Sequence, residues 1–339
     1  MYKMDGKPKI SVIFSVYNGA TYLKEAVESI LNQSYFDFEF IIVNDGSTDY
    51  TEEILNKYTD SRIIRINNPQ NIGLVKSLNL AIEKARGELI ARMDADDIST
   101  PDRFEKQVAY LKAEPEISVI GTYMKHIDAE GNDLKVLSIP CNHELIKWKM
   151  LFETSIFHPT VMMRKKDLLK EGKYNPNYQH IEDTELWSRM IENVQFSNLN
   201  EVLYIRRWHR DSICNIHQSI QFRKGVDIRH NQFEKILGKR VSLNDVLILS
   251  ECLNSSRKYI ESKNINRICT LLIETWMTFS KNHKTDKDTY EEIRTDLITR
   301  LIFILQKDQK LSSKKVVTNL IKRFIPNKII KMINKLAKG

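Results

Sequence analysis

The stretch ELIARMDADDIST (residues 88–100) runs from an apolar segment directly into three carboxylates. Asp94, Asp96 and Asp97 fall within four positions, where a buried strand would end. Like charges this close disfavour one another's ionised forms unless a partner neutralises them. The stretch therefore predicts a strand whose carboxyl end binds something that compensates concentrated negative charge.

The chain before this stretch alternates between two patterns. Short apolar runs rich in β-branched residues are typical of strands buried on both faces. Four such runs occur: KISVIFSV (9–16), FEFIIV (38–43), RIIRI (62–66) and GELIARM (87–93). Between them, helical spacing predicts helices after Thr21, which is placed as a cap, near 51–58, and from Leu74 to Ala85. The alternation predicts an α/β fold, with a mostly parallel sheet and helices on both faces.

Polar residues follow several of these strands. Tyr17, Asp45 and the acidic cluster all come directly after a predicted strand. In open α/β sheets the ligand lies beyond the carboxyl ends of the strands, so we expect these residues to meet in one crevice. No GxxxxGK[ST] or GxGxxG follows the first strand, which argues against a P-loop or a dinucleotide site. A divalent cation, Mn²⁺ or Mg²⁺, would let the carboxylates hold a diphosphate, because both supply hard oxygen ligands.

Three other interpretations of the acidic cluster were compared. An EF-hand fails, because Ile98 and Ser99 occupy positions that require an oxygen ligand and a glycine. A second interpretation is that the acids only mark the start of a helix. Thr100 as the cap and Pro101 in the first turn already do this, so Asp94 and Asp96 would remain unexplained. A metal-dependent aspartyl phosphatase would use Asp94 as its nucleophile, but that scheme gives Tyr17 and Asp45 no part. Metal and diphosphate binding is the favoured interpretation.

The composition indicates a folded protein with one large domain and an appendage. The chain has 339 residues, of which 42% are hydrophobic, and four cysteines with no CxxC pair. No apolar run reaches the roughly 20 residues that a membrane-spanning helix needs. MYKMDGKPK at the start lacks the apolar segment of a secretory signal. We therefore expect a cytoplasmic protein with reduced thiols.

The net charge of +8 resides in the last 29 residues. Residues 311–339 contain eight Lys or Arg and no acid, and without these eight the chain has 44 basic and 44 acidic residues. This distribution argues against a nucleic-acid partner. Apolar residues repeat at helical spacing on both sides of Pro326. A basic amphipathic tail is predicted to bind an anionic membrane surface, on the inner face of the cell membrane, although its apolar face could instead pack on the protein.

Six blocks in order along residues 10–209 resemble the inverting glycosyltransferases of family 2, which have the GT-A fold. The blocks are ISVIFSVYNG, IIVNDGSTD, NIGLVKSLNLAIEKARGELIARMDADDISTPDRFEKQ, HPTVMMR, IEDTELWSRM and LYIRRWH. The resemblance implies transfer of a sugar from a nucleotide-sugar donor, with UDP favoured, to an acceptor hydroxyl with inversion. Membrane spans and the QxxRW block of processive members are missing, so transfer of a single sugar is expected.

The resemblance also assigns roles on the donor side. Tyr17 is expected to pack on the base, Asp45 to hydrogen-bond it and Asp94 to lie near the ribose. Asp96 is expected to bind the metal, with Asp94 as a second ligand and Asp97 sharing either task. Weaker candidates for lining the nucleotide are Asn71, Gly73, Lys76 and Arg92. From the residues alone, Tyr17 is equally a core residue and Asp45 equally a turn residue of an Asp-Gly pair.

HIEDTELW (180–187) supplies candidates for the chemical step. An acceptor hydroxyl is a poor nucleophile, so a carboxylate must remove its proton as the new bond forms. The resemblance assigns this task to Asp183, while Glu182 binds the acceptor or assists. The alternative is that both acids merely stabilise the N-terminus of a helix.

Cationic residues follow the later strand-like segment VLYI. Arg207 is predicted to neutralise the leaving diphosphate, and neutral His209 to complete the metal shell. A single histidine is equally a surface or packing residue. His158 is a weaker candidate for a wall of the acceptor site.

The domain prediction has three parts: a catalytic domain at 1–215, a helical region at 216–310 and the basic tail at 311–339. Four segments beyond residue 215 have helical periodicity. Acceptor choice is expected to depend on side chains between Tyr123 and Tyr178. A saccharide or lipid-linked saccharide of a bacterial surface polysaccharide or glycolipid is the expected acceptor. A non-catalytic scaffold that retains the nucleotide pocket is the alternative from another class.

Overall fold

The structure is a computed structural model, which describes residues 6–209, 218–254, 259–283 and 285–307. The predicted basic tail, 311–339, lies outside these residues. The chain forms two compact units, Met1–Lys147 with Thr154–Phe222 and Trp148–Glu153 with Arg223–Gly339. The candidate site residues all belong to the first unit.

The described part of the first unit contains one sheet of nine strands. They are β1 (Ile10–Val16), β2 (Phe38–Asn44), β3 (Ile63–Asn67), β4 (Leu89–Met93), β5 (Ile98–Ser99), β6 (Ile117–Ile127), β7 (Asp133–Leu137), β8 (Met162–Arg164) and β9 (Gln195–Arg207). The strand order is β3-β2-β1-β4-β8-β6-β9-β5, and β7 pairs with β6.

Eleven α-helices are present in the described residues. In the first unit they are α1 (Leu23–Leu31), α2 (Thr51–Leu55), α3 (Leu74–Lys84), α4 (Arg103–Ala113), α5 (His143–Met150, whose last three residues belong to the second unit), α6 (Lys165–Lys170) and α7 (Glu182–Met190). Four more follow: α8 (Gln218–Leu237, which begins in the first unit), α9 (Leu243–Leu253), α10 (Ser262–Asn282) and α11 (Lys287–Leu305).

The four strands predicted from the first hundred residues form the parallel half of the sheet. β1 lies between β2 and β4, and β3 pairs with β2, all in parallel register. Every residue of β2 and β4 is buried, as expected for strands with apolar runs covered on both faces. The predicted α/β fold is confirmed. Because β1, β2 and β4 are parallel, Tyr17, Asp45 and Asp94 follow strand ends on one edge of the sheet.

The other half of the sheet is mixed and holds the second part of the site. β8 runs antiparallel between β4 and β6, whereas β9 runs parallel to β6 along most of its length. The short strand β5, directly after the acidic cluster, pairs antiparallel with the end of β9. This pairing brings residues 204–209 beside residues 94–99.

Two predicted helix starts differ from the structure. α1 begins at Leu23 with Tyr22 at the N-cap, and no side chain caps it. Thr21 therefore does not cap it as predicted, because the chain already turns at Gly19, whose carbonyl accepts from the Leu23 amide at 3.1 Å. α4 begins at Arg103, after Asp102, and Thr100 donates its hydroxyl to Asp102 at 2.8 Å instead of capping. The prediction that Glu182 and Asp183 open a helix is confirmed.

The second unit is helical in its described residues. Each of the four C-terminal segments predicted to be helical contains most of one helix, α8, α9, α10 or α11, although the helix of the segment at 243–260 ends at Leu253. In α5, Trp148 is fully buried and donates its indole N–H to Asp296 of α11 at 2.7 Å. Within the described residues, no helix is long and apolar enough to cross a membrane.

Candidate active site

The acidic cluster lies just beyond β4, as the sequence predicts. One ligating oxygen from each of Asp94, Asp96 and Asp97 lies within 4.8 Å of the others. Each carboxylate has a different partner, and these partners decide what each can do.

Asp94 is held by Arg92, two residues earlier on β4. The guanidinium binds the carboxylate with both terminal nitrogens, Nη1 to Oδ2 and Nη2 to Oδ1, each at 2.5 Å. Arg92 is only 4% exposed, and its Nε makes no hydrogen bond within the described residues. A bidentate pair fixes the orientation of the carboxylate. Because Arg92 occupies both Asp94 oxygens, the structure favours a binding role for Asp94 over the role of a phosphatase nucleophile.

Asp96 is the more exposed acid and faces a histidine. The Asp96 Oδ2 lies 2.8 Å from Nε2 of His209, whose ring also packs against Tyr22 with centroids 5.4 Å apart. Both atoms are good ligands for a divalent cation when the imidazole is neutral. The two predicted metal ligands Asp96 and His209 therefore lie next to each other, as ligands of one ion would.

Asp97 is buried and supports the cluster from behind. Its Oδ2 accepts from the Tyr204 hydroxyl at 2.9 Å and its Oδ1 from the Arg207 amide at 2.8 Å. Burial, together with the charges of Asp96 and Asp94, raises the pKa of Asp97 well above its usual range. A cation at the cluster would stabilise the ionised form of all three acids.

Arg207 is also buried, and protein acceptors occupy its guanidinium. It forms an ion pair with Glu25, and its Nη1 donates to the Ala129 carbonyl at 3.3 Å. Its Cζ lies 4.6 Å from the centroid of the Tyr22 ring. This placement makes Arg207 a support that ties β9 to α1. Direct neutralisation of a diphosphate by Arg207 stays a prediction.

A set of residues that the sequence interpretation missed lies beneath the cluster. Tyr204 accepts from the Asp94 amide at 3.2 Å, so its hydroxyl joins two of the three acids. Arg103, fully buried, donates from Nη2 to the carbonyl of Arg92 at 2.8 Å and has its Cζ 5.2 Å from the Tyr204 ring. The period of two along LYIRRWH could have indicated Tyr204. Nothing local distinguishes Arg103 from a surface residue of α4.

On the donor side, Asp45 organises a loop. Its Oδ1 accepts from the Asn68 side chain at 2.8 Å and the Ile72 amide at 3.0 Å, and its Oδ2 accepts from the Gly73 amide at 2.9 Å. Gly46, at φ +71°, lies under this loop, and a Cβ there would be 2.4 Å from the carbonyl carbon of Gln70. The Asp-Gly pair thus positions residues 68–73 as one wall of the crevice.

The remaining nucleotide candidates surround this loop. Tyr17 is 49% exposed, which rules out the core alternative for its side chain. Gly73 has φ +91° at the N-cap of α3, and Asn71 accepts from its amide at 3.0 Å. Lys76 is exposed in the first turn of the same helix. Their contact with a nucleotide remains a prediction.

Glu182 and Asp183 open α7, and both are held in an environment that disfavours charge. Asp183 Oδ1 accepts from the Thr184 amide at 2.6 Å, while the Oε2 of Glu182 is buried without a hydrogen bond in the described residues. Burial raises the pKa of Asp183, and burial beside Asp183 raises the pKa of Glu182 to about 7. Carboxylates with pKa values moved toward neutrality suit proton transfer.

Arg92 connects the two acidic groups. Its guanidinium binds Asp94, and its charge partly opposes the rise that burial causes in the pKa of Glu182 and of Asp183. The phenol of Tyr174 has its pKa raised by burial and by the charges of Glu182, Asp183 and Asp94 together. Because charges in a buried site are weakly screened, the β4 tip and the start of α7 are electrostatically coupled. Contact of Arg92 with the nucleotide stays a prediction.

His158 lies in the packing behind the site rather than on its wall. It is buried, its Nε2 is 2.7 Å from the Tyr174 hydroxyl, and its ring packs edge-on against Trp187 with centroids 5.9 Å apart. Burial lowers its pKa well below the usual value, with a further contribution from Arg92. These contacts favour a supporting position for His158, and its predicted contact with the acceptor stays a prediction.

A divalent cation fits the chemistry of the donor set. The exposed edge of the cluster offers an Asp96 carboxylate and the His209 imidazole, with Asp94 adjacent, and these are hard oxygen and borderline nitrogen ligands. The buried Asp97 adds negative charge behind them. Mn²⁺, which accepts both oxygen and imidazole ligands, suits this mixed set, and Mg²⁺ suits its carboxylates.

Comparison with known proteins identifies relatives, one of which covers 95% of the chain. The family described as "Glycosyl transferase family 2" matches residues 11–172. An uncharacterized glycosyltransferase of Haemophilus influenzae is 31% identical over 334 residues, which cover 95% of this chain and 98% of that protein. The O-antigen biosynthesis glycosyltransferase WbnJ of Escherichia coli is 36% identical over 209 residues, covering 60% of this chain and 81% of WbnJ.

Solved structures share the fold. Staphylococcus aureus TarS 1–349, crystallised with UDP-GlcNAc, superposes with a TM-score of 0.56 at 17% identity, covering 88% of this chain and 90% of TarS 1–349. The mannosyltransferase PcManGT of Pyrobaculum calidifontis, in complex with GDP-Man and Mn²⁺, gives a TM-score of 0.52 at 15% identity, covering 93% and 88% of the two chains. At these identities the likeness concerns the GT-A fold.

Proposed function

The chain belongs to the family 2 glycosyltransferases, and on that premise we propose that it transfers one sugar from a nucleoside-diphosphate sugar, with UDP favoured, to an acceptor hydroxyl with inversion. The observation that supports this most is Arg92, whose charge acts on Asp94 at the tip of β4 and on the Glu182–Asp183 pair. The charge of one buried arginine thus acts on both a candidate donor-binding group and a candidate base, which supports the proposal.

For the donor, we propose that Tyr17 packs on the base and that the loop held by Asp45 lines the nucleotide. The carboxylate has a fourth lone-pair direction left after three protein donors, which suits one hydrogen bond to the base. Lys76, exposed at the start of α3, supplies positive charge near the same wall. TarS with UDP-GlcNAc and PcManGT with GDP-Man support a nucleotide sugar as the ligand of this fold.

For the diphosphate, Asp96 and His209 would hold Mn²⁺ or Mg²⁺, with Asp94 beside them. The bound ion would neutralise the charge that develops on the leaving diphosphate. Arg92 keeps the Asp94 carboxylate oriented, and the Tyr204 hydroxyl and Arg207 amide keep Asp97 in place. The protein thus contributes a rigid acidic edge.

For the chemical step, Asp183 accepts the proton of the acceptor hydroxyl as that oxygen attacks the anomeric carbon and the nucleoside diphosphate leaves. One displacement of this kind inverts the anomeric centre and needs no covalent sugar intermediate. Placement of donor and acceptor and electrostatic stabilisation supply the rate enhancement. The unpartnered Glu182 Oε2 is suited to accept a hydrogen bond from the acceptor.

A consequence for pH dependence follows from the raised pKa values. Asp183 acts only when ionised, and burial raises its pKa, so kcat/KM falls as pH decreases through a value above the ordinary carboxylate range. Below that value the rate drops about tenfold per pH unit. A pH profile of kcat/KM that extends through the ordinary carboxylate range measures this limb, which belongs to the coupled Glu182–Asp183 pair. A limb that lies at or below the ordinary carboxylate range would refute the assignment.

For the tail, we propose that residues 311–339 bind an anionic membrane surface. Their eight cations and the absence of acids support it, as each cation near such a surface contributes about 1 kcal/mol. Deleting residues 311–339 is expected to lower cosedimentation with phosphatidylserine-containing vesicles and to leave sedimentation with neutral vesicles unaltered. Equal partitioning of the full and shortened chains into anionic vesicles would contradict the proposal.

The test of the proposed activity is a donor panel. UDP-, GDP- and dTDP-sugars are incubated with the protein, with and without Mn²⁺, and release of nucleoside diphosphate is measured. Metal-dependent release from at least one donor is expected. If no donor binds or is turned over, the transferase assignment fails. The saccharide or lipid-linked acceptor, expected in bacterial surface polysaccharide synthesis as for WbnJ, is then sought with the active donor.

A further inference from the structure

Three side chains form a row across neighbouring strands beside the acidic cluster. In the strand register, Lys135 of β7 pairs with His126 of β6, and His126 pairs with Arg206 of β9. Residues paired across strands project from the same face of a sheet. The row therefore places an imidazole between two cations on one surface.

Trp208 extends this row by one aromatic ring. It follows Arg206 by two residues, and its amide donates to the Ile127 carbonyl at 2.8 Å, which continues the strand pairing. The indole stacks on His126, with centroids 5.9 Å apart and planes 26° apart, and the Arg206 Cζ lies 5.7 Å from its centroid. One face of the indole is covered, yet the side chain is 42% exposed.

The row borders the acidic cluster. Tyr204 precedes Arg206 by two residues, so it projects to the same face of β9, and its hydroxyl donates to Asp97. Burial raises the pKa of Asp94, and the Arg206 charge is among those that oppose this rise. Trp208 is the next side chain after Arg206 along this face, while Arg207 and His209 point to the opposite side, toward Tyr22.

The imidazole behind the ring is neutral. Burial lowers the pKa of His126 to about 4, with further contributions from Arg206 and Lys135. Its Nε2 is buried and makes no hydrogen bond within the described residues. His126 therefore backs the indole without adding charge, and the positive charge of the surface comes from Arg206 and Lys135.

Trp208 differs from the other tryptophans of the chain. Trp148, Trp187 and Trp276 are each less than a tenth exposed, so Trp208 is the one solvent-accessible indole. A large aromatic ring that is rigidly backed and exposed beside a crevice indicates a binding surface. The flat apolar face of a pyranose ring is complementary to such a surface.

Resting on the proposed function, we propose that Trp208 is the platform on which a sugar ring of the acceptor stacks, and that Arg206 and Lys135 select acceptors whose sugar has an acidic group. A carboxylate and a phosphate share the chemistry that a guanidinium and an ammonium recognise. The acceptor class is then an anionic saccharide, either a uronic acid or a phosphorylated sugar. Trp208 and the two cations would determine specificity without touching the transferred proton.

Fluorescence tests this proposal because only Trp208 is accessible to a quencher. The protein is saturated with Mn²⁺ and UDP, or whichever nucleotide of the donor panel binds best, and acrylamide quenching is measured with glucose, glucuronic acid or glucose 6-phosphate. The two acidic sugars are expected to protect the indole at lower concentration than glucose. If only glucuronic acid protects the indole, the acidic group of the acceptor is a carboxylate. If only glucose 6-phosphate protects it, the acidic group is a phosphate. Equal protection by all three sugars, or none, overturns the proposal.

Substitutions separate the contribution of the Trp208 ring from that of the two cations, Arg206 and Lys135. Trp208→Ala is expected to raise the half-saturating concentration of the acidic sugar, measured by its stimulation of nucleoside-diphosphate release, about tenfold. Arg206→Met with Lys135→Met is expected to abolish the preference over glucose while glucose still protects Trp208. Phe36→Ala is the matched control, since Phe36 is an exposed ring just before β2, at the opposite edge of the sheet.

The outcomes distinguish this proposal from the proposed function. Loss of all nucleotide binding in the unaltered protein would remove the transferase assignment itself. Metal-dependent nucleotide binding without protection of Trp208, or a wild-type half-saturation in Trp208→Ala, would remove only the acceptor platform.

Discussion

Asp183→Asn is expected to reduce sugar transfer by about 10² to 10⁴-fold while leaving metal-dependent nucleotide binding intact, because a positioned base contributes a factor of that size. The amide keeps the shape of the side chain and can still accept from the Thr184 amide, but it cannot take a proton. Nucleoside-diphosphate release with acceptor measures turnover, and calorimetric titration with the diphosphate and Mn²⁺ measures binding.

A matched substitution separates catalysis from helix stability. Asp102→Asn also removes a carboxylate at the start of a helix, α4, and its carboxylate is partly exposed, with Lys106 2.7 Å away. If the Asp183 charge served only the dipole of α7, both substitutions would cost a few tenths of a kcal/mol to about 1 kcal/mol of stability and neither would affect turnover. Near-normal transfer by Asp183→Asn would therefore refute the base assignment.

Asp96→Ala is expected to weaken Mn²⁺-dependent binding of the nucleoside diphosphate by roughly 100-fold and to abolish transfer, since it removes the most exposed carboxylate of the cluster. His209 then loses the partner 2.8 Å from its Nε2. Binding without metal should be weak and equal in variant and wild type. Titration with and without EDTA measures nucleotide binding in the absence and in the presence of the metal.

The control for this substitution is another partly exposed aspartate outside the crevice. Asp60→Ala removes a carboxylate that pairs with Arg62 at 2.8 Å, just before β3. It is expected to leave the effect of Mn²⁺ on nucleotide binding unaltered. If Asp96→Ala bound the diphosphate with Mn²⁺ as tightly as the wild type, the metal would have to be placed elsewhere.

The parallel half of the fold and the acidic edge were predictable from local sequence. Each of β1, β2 and β4 is a single apolar run, and parallel pairing puts their carboxyl ends on one edge whatever the later chain does. The position of Asp45 and Asp94 beyond those ends needs no long-range information. The same holds for Glu182 and Asp183, which open α7.

The supports of the site were not predictable, because they depend on register between distant strands. β5 has two residues, and only its pairing with Tyr204 and Ile205 brings LYIRRWH beside the acids. That register turns Arg207 inward to Glu25 and leaves Arg206 and Trp208 on the other face. The sequence alone does not show which of Arg206 and Arg207 is buried.

Buried charge also distinguishes the structure from the sequence interpretation. Arg92 was predicted as a candidate for lining the nucleotide, and the structure shows it buried and paired with Asp94. Breaking such a pair costs several kcal/mol when the remaining charge stays buried, whereas an exposed pair contributes little. The sequence position of an arginine does not show whether its ion pair is buried or exposed, whereas the packing of the folded chain does.

The central claim is that the β4 acids and Asp183 serve the same sugar. A crystal structure with Mn²⁺ and the nucleotide sugar selected by the donor panel tests it directly, with anomalous scattering recorded at the manganese edge. We expect a manganese peak at Asp96 and His209, with the anomeric carbon of the donor facing the Asp183 carboxylate. A manganese peak away from Asp96, or a donor sugar that points away from Asp183, would contradict it.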